Sequence, residues 1–100
     1  MQNFSNKVYE LTKKIPKGKV TTYGEIARAL NTKAYRAVGQ ALRCNPYAPS
    51  VPCHRVVKSS GEVGGFAGSK DNSKKIKLLR EEGVEIFNNK INLKRFMAKI

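Results

Sequence analysis

No run of this 100-residue chain approaches the roughly 18 consecutive apolar residues that a membrane-crossing helix requires, which excludes a spanning helix as its mode of action. Met1 to Asn6 also lacks the basic start and apolar block of a secretory signal, so an intracellular protein is expected. Cysteine is scarce: Cys44 and Cys53 alone do not make a disulfide framework, and intracellular thiols are normally held reduced. Histidine is scarcer still. His54 is the only one, and no Cys-x-x-Cys pair accompanies it, which removes the ligand spacing of a structural zinc site. The last shortage is negative charge, with seven Asp and Glu against twenty Lys and Arg.

What remains is a chain long enough for one domain, with 40% hydrophobic residues to build its core and a formal charge of +13. So much positive charge on a short chain repels itself unless a polyanion is near. The excess is uneven. Between Leu11 and Lys58 the single acid is Glu25, so one face is expected to be electropositive, with nucleic acid as the leading partner. Charge alone fits DNA, RNA, an anionic membrane surface or a lysine-rich drift in composition.

Apolar periodicity supplies the local structure. Phe4, Val8, Leu11 and Ile15 form a helical stripe that stops at Ile15-Pro16-Lys17-Gly18. Thr22 stands three residues before Glu25, the spacing of a capping box, so a second helix should begin near Tyr23 and carry Ile26, Ala27 and Leu30. Asn31-Thr32 suits a turn, and helical spacing resumes from Lys33 to Arg43. Two short helices around a tight turn form the helix-turn-helix pattern, in which the second helix enters a DNA groove. Gly39 within that helix costs roughly 1 kcal/mol relative to Ala. Either tight helix packing or close approach to another backbone would account for it.

Three prolines between Asn45 and Pro52 impose an extended loop. His54 to Lys58 reads as a short strand turned by Ser59-Ser60-Gly61, and Gly64, Gly65 and Gly68 predict a pliable loop around Phe66-Ala67. A last helix over Asp71 to Glu82 stops at Gly83. Beyond it, a hairpin from Val84 to Leu93 turning at Asn88-Asn89 precedes a basic tail. The fold class expected is mainly α: a small helical DNA-binding domain with a helix-turn-helix, winged-helix-like, and one or two short β-hairpins.

Reactive groups concentrate in Pro52-Cys53-His54-Arg55, where a thiol, an imidazole and a fixed cation are consecutive. A free cysteine with a pKa of about 8.5 is only a few per cent ionised at neutral pH, and nearby positive charge or a base raises that fraction. His54 is the available base. Neighbours in an extended segment point to opposite faces, so a water between thiol and ring is the easier geometry unless the backbone turns sharply. A carboxylate on the far ring nitrogen would complete a triad, with Asp71, Glu81 and Glu82 as candidates. The plainer alternatives are a buried, inert Cys53 and a solvated helix-end charge at Glu82.

Taken together, Thr21-Thr22-Tyr23-Gly24-Glu25-Ile26-Ala27, Arg36-Ala37-Val38-Gly39 with Asn45-Pro46, Pro52-Cys53-His54-Arg55-Val56-Val57, and Glu82-Gly83 closely resemble the catalytic domain of O6-alkylguanine-DNA alkyltransferases. The likeness runs from about Phe4 to Leu93 and lacks the separate N-terminal domain, and any zinc held there, of many relatives. It implies one domain over residues 1–100 acting as a monomer, in a prokaryotic cytoplasm, on double-stranded DNA containing O6-alkylguanine, with no membrane partner.

By this resemblance the guanine is flipped from the duplex and Cys53 attacks its alkyl carbon. His54 deprotonates Cys53 through a water, Glu82 orients the imidazole, Asn45 braces the loop and Tyr23 donates toward the base as its oxygen loses the alkyl group. Arg36 fills the space the nucleotide vacates. Ala34, Tyr35 and Gly39 line the groove-facing helix, and Gly24, Asn31 and Ser59 match further DNA contacts. The base pocket comprises Phe66, Ala67 and the backbone carbonyls of Cys53 and Val56. A thioether has no good leaving group, so each molecule acts once, and the scheme requires no cofactor and no metal.

The sequence departs from the family pattern at Phe66-Ala67, where many relatives have Tyr-Ser, at the bulky Tyr35, and at Cys44 in place of a frequent glycine. Two rival readings stand beside the enzyme. Alkyltransferase-like proteins grip the lesion and hand it on, usually with tryptophan in place of the cysteine. A plain DNA-binding regulator would leave Pro52 to Val57 without a purpose.

Overall fold

A computed structural model of the chain describes residues 3–47, 50–65 and 71–98. Helix α1, Phe4–Lys13, starts at Asn3, whose side chain accepts the Asn6 amide. It ends two residues before Ile15, which is buried in the turn that follows. Strand β1, Thr21–Thr22, leads without a break into α2, Tyr23–Ala29. Thr22 Oγ1 accepts the Glu25 amide at 3.1 Å, which is half of the expected capping box, while the Glu25 carboxylate pairs with Arg28 at 2.6 Å.

Asn31 ends α2 in the left-handed region at φ +55°. Its amide bonds back to the Arg28 carbonyl and that of Thr32 to Ala27, the paired bonds of a Schellman cap. Helix α3, Tyr35–Arg43, follows two residues later than the periodicity predicts, since Thr32 Oγ1 takes the Ala34 amide and holds the turn open. The helix-turn-helix is therefore present.

Strand β2, Val56–Val57, pairs parallel with β1, Thr21 opposite Val56 and Thr22 opposite Val57. Adjacent side chains on a strand face opposite ways, and this pair joins two cores. Val56 packs with Val8, Ile26, Val38 and Leu42 beneath the first three helices; Val57 packs with Val20, Val63, Leu79 and Phe96. Each fully buried valine contributes roughly 1.5–3 kcal/mol. Tyr9 joins α1 to α3 through its hydroxyl, which donates to the Ala41 carbonyl at 2.8 Å.

The strand expected from His54 to Lys58 is correspondingly shorter. Cys53–Arg55 forms a single 3-10 turn, because the Cys53 amide closes on the Val51 carbonyl and the Arg55 amide on that of Pro52. Helix α4, Ser73–Glu81, is trimmed at both ends relative to the expected Asp71 to Glu82. The hairpin at Asn88-Asn89 has a single rung, Phe87 with Lys90, and both asparagines adopt positive φ. The basic tail is not loose: α5, Leu93–Phe96, is followed by Ala98, whose amide bonds to the Val20 carbonyl at 2.7 Å. None of the described helices is long and apolar enough to cross a membrane. The fold is mainly helical, as expected, with a parallel two-stranded sheet as its only ladder longer than one rung among the described residues.

Candidate active site and nucleic-acid interface

The 3-10 turn places Cys53 and His54 on a bend and not along a strand, so the opposite-face argument lapses. Cys53 is half-buried against the helix-turn-helix core, together with Tyr23, the first residue of α2. Burial, and then the nearby Cys53, push the Tyr23 phenol above its ordinary value. Asn45 spans the loop ahead of the turn. Its Nδ2 donates to the Val51 carbonyl at 2.8 Å, the same oxygen that receives the Cys53 amide, and its Oδ1 accepts from the Tyr47 amide.

His54 is only 5% exposed. Its Nε2 lies 3.1 Å from Oε2 of Glu82, and Arg55 grips the same carboxylate, Nε to Oε1 at 2.9 Å and Nη2 to Oε2 at 2.7 Å. Burial alone would raise the Glu82 carboxyl, but the hydrogen bonds and charges of Arg55 and His54 outweigh it and hold the group below its ordinary value. An ionised carboxylate only accepts, so Nε2 is the nitrogen that carries a proton toward Glu82, and in a neutral ring Nδ1 is then the free acceptor. Of the three acids considered, Glu82 is the one that meets the imidazole. It is the C-terminal cap residue of α4, aimed by a Schellman turn in which Gly83 adopts φ +93° and the Val84 amide returns to the Leu79 carbonyl.

Lys75 was not anticipated. It is 1% exposed on α4, and its Nζ donates to the Val56 carbonyl at 2.8 Å and the Gly65 carbonyl at 3.3 Å. The one signal for it in the sequence is its spacing of four from the buried Leu79, which puts a lysine on an apolar face. The Cys53 carbonyl likewise already accepts the Val56 amide. Each of these two expected base-pocket acceptors has one lone pair left. The Val56 side chain is fully buried, so its backbone is the part left to meet a base. Phe66 and Ala67 lie outside the described residues.

Most of the groove-facing candidates lie at the surface. Asn31, Ala34, Tyr35 and Arg36 are exposed, Tyr35 by 54%. A Cβ built on Gly39 would meet nothing within 4 Å, so packing inside the chain does not explain this glycine. Gly24 lies against Ser59, and a Cβ there would stand 3.0 Å from Ser59 Oγ. These two residues, 35 positions apart in sequence, form one spot on the surface.

Residues 3–84 match the family described as 6-O-methylguanine DNA methyltransferase, DNA binding domain. A methylated-DNA–protein-cysteine methyltransferase of Thermococcus kodakarensis is 52% identical over 83 residues, 82% of this chain and 45% of that protein. Alkyltransferase-like protein 1 of Schizosaccharomyces pombe is 41% identical over 105 residues, 99% of this chain and 97% of that protein. The crystal structure of S. pombe Atl1 in complex with damaged DNA containing O6-carboxymethylguanine aligns over 100% of both chains, with 39% identity and a TM-score of 0.87. The chain thus spans less than half the length of the methyltransferase and nearly all of the alkyltransferase-like protein.

Proposed function

The chain belongs to the family of the 6-O-methylguanine DNA methyltransferase DNA-binding domain, and from that premise we propose that it repairs DNA by moving an alkyl group from guanine O6 to Cys53. The observation that carries this reading is the thiol itself, held on a bend beside a histidine whose ring is already oriented by a carboxylate. Duplex DNA carrying the lesion docks on α3, with Arg36 entering the stack and Ala34, Tyr35, Gly39, Asn31 and the Gly24–Ser59 spot along the groove.

Chemistry then follows from the site. His54 Nδ1 takes the thiol proton through a water, and the thiolate attacks the alkyl carbon. One S–C bond forms as the C–O6 bond breaks, with its electron pair left on the guanine oxygen. Tyr23, whose phenol stays protonated because burial and the neighbouring Cys53 raise it, delivers a proton to the departing base. Asn45 and Glu82 hold the loop and the ring in place. The product thioether does not release its carbon, so each molecule reacts once and needs no cofactor.

A second reading is lesion binding without transfer, favoured by the end-to-end match to S. pombe Atl1. Mass spectrometry after incubation with duplex DNA containing O6-methylguanine separates the two. Transfer adds one methyl group to Cys53 and no more, and Cys53→Ala binds the same DNA without gaining it. A protein that binds the lesion and stays unmodified is the lesion binder.

A further inference from the structure

Arg55 is the one charged side chain of the Pro52 to Arg55 segment to which this chemistry assigns no task. Its side chain is 16% exposed, and a guanidinium withdrawn from water is tolerated only when paired. Its contacts span three parts of the fold: both oxygens of Glu82 at the end of α4, its own turn, and the Ile15 carbonyl after α1, which Nη1 reaches at 2.9 Å. Glu82 Oε2 therefore receives Arg55 Nη2 and His54 Nε2 together.

A carboxylate facing an imidazole by itself favours the imidazolium, and a cation on the same carboxylate opposes it. We infer that Arg55 is a positioning residue that sets the charge of the base: it fixes Glu82 against His54 Nε2 and offsets its charge, so the ring stays neutral with Nδ1 open. This inference rests on the alkyl-transfer reading. The other titratable groups at the site among the described residues are Lys75 from α4, Tyr23 from α2 and Tyr9 from α1, all three beside Cys53, and Cys53 on the same turn. Lys75 works in the same direction as Arg55. The Cys53 thiolate works against them.

His54 is the only histidine, so its ring signals in an NMR titration report this site alone. Arg55→Gln is expected to move the ring's titration midpoint up by about one pH unit, and Glu82→Gln to move it down. Single-turnover methyl transfer by Arg55→Gln is then about tenfold slower than wild type on the acid side and converges with it at alkaline pH; a merely structural defect slows both ends equally. An unmoved or lowered midpoint in Arg55→Gln overturns the inference. Should that variant not fold, the wild-type ring decides: nitrogen shifts of the neutral, Nε2-protonated form at neutral pH support the inference, and those of an imidazolium overturn it. If the ring behaves as expected and methyl transfer is absent in wild type, it is the repair reading that fails.

Discussion

Lys75 Nζ donates to the Val56 carbonyl across 2.8 Å from a helix position almost without solvent. Burial pushes its amine from an ordinary 10.5 to about 8, with the nearby Cys53 opposing and Lys58 reinforcing the shift. Between those two values the unfolded chain binds more protons than the folded one, so stability rises with pH across that window. Below it the charged amine costs the fold roughly 3 kcal/mol. Denaturant unfolding of wild type and Lys75→Met at about pH 7 and about pH 10 should give a smaller rise in the variant. The raised tyrosines Tyr9 and Tyr23 are common to both and cancel. Identical rises would mean that the amine is not desolvated.

Gly83 carries the aim of Glu82. Space around a Cβ there is open, but φ of +93° is not. Gly83→Ala should therefore cost roughly 1–2 kcal/mol through backbone strain alone. It should also slow methyl transfer, because relaxing the Schellman turn moves the carboxylate that Arg55 and His54 share. Denaturation and single-turnover rates measured on the same preparation check both halves.

At Gly39 stability and affinity should part company. With nothing within 4 Å of the added methyl, Gly39→Ala strengthens α3 by up to about 1 kcal/mol. If α3 lies in the groove with its backbone close to DNA, the same methyl weakens binding. A higher melting temperature with a larger Kd for duplex DNA is the expected pair, and unchanged affinity would remove Gly39 from the interface.

Tyr23→Phe tests the proton donor. The ring keeps its packing against the helix-turn-helix core and loses only the hydroxyl. DNA affinity should hold while the single-turnover rate drops by roughly a hundredfold. An undiminished rate would assign proton delivery to another group.

Much of this was legible from local pattern. The Thr22 cap, the polar Asn31-Thr32 turn and the apolar spacing through Val38 and Leu42 placed the helix-turn-helix, because those signals act within a few residues. The segment from Cys53 was harder. Its valines read as a strand from His54 onward, but backbone closure onto Val51 and Pro52 replaces the first half with a bend. That bend removes the objection to pairing a thiol with an adjacent imidazole. Lys75 left almost no trace, since lysine is ordinarily a surface residue and its burial depends on two carbonyls supplied from elsewhere in the chain, Val56 of β2 and Gly65 of the segment beyond it.

Order along the chain thus settled the four longer helices to within a turn and which short segment carries the thiol, imidazole and cation, since capping, periodicity and turn chemistry are short-range, while the short α5 went unread. Packing alone brought Glu82 across 28 positions to His54, selected it over Asp71 and Glu81, and set Arg55 on both of its oxygens. Such a meeting depends on how α4 lies against the turn at Cys53, a distance in space that no spacing in sequence encodes.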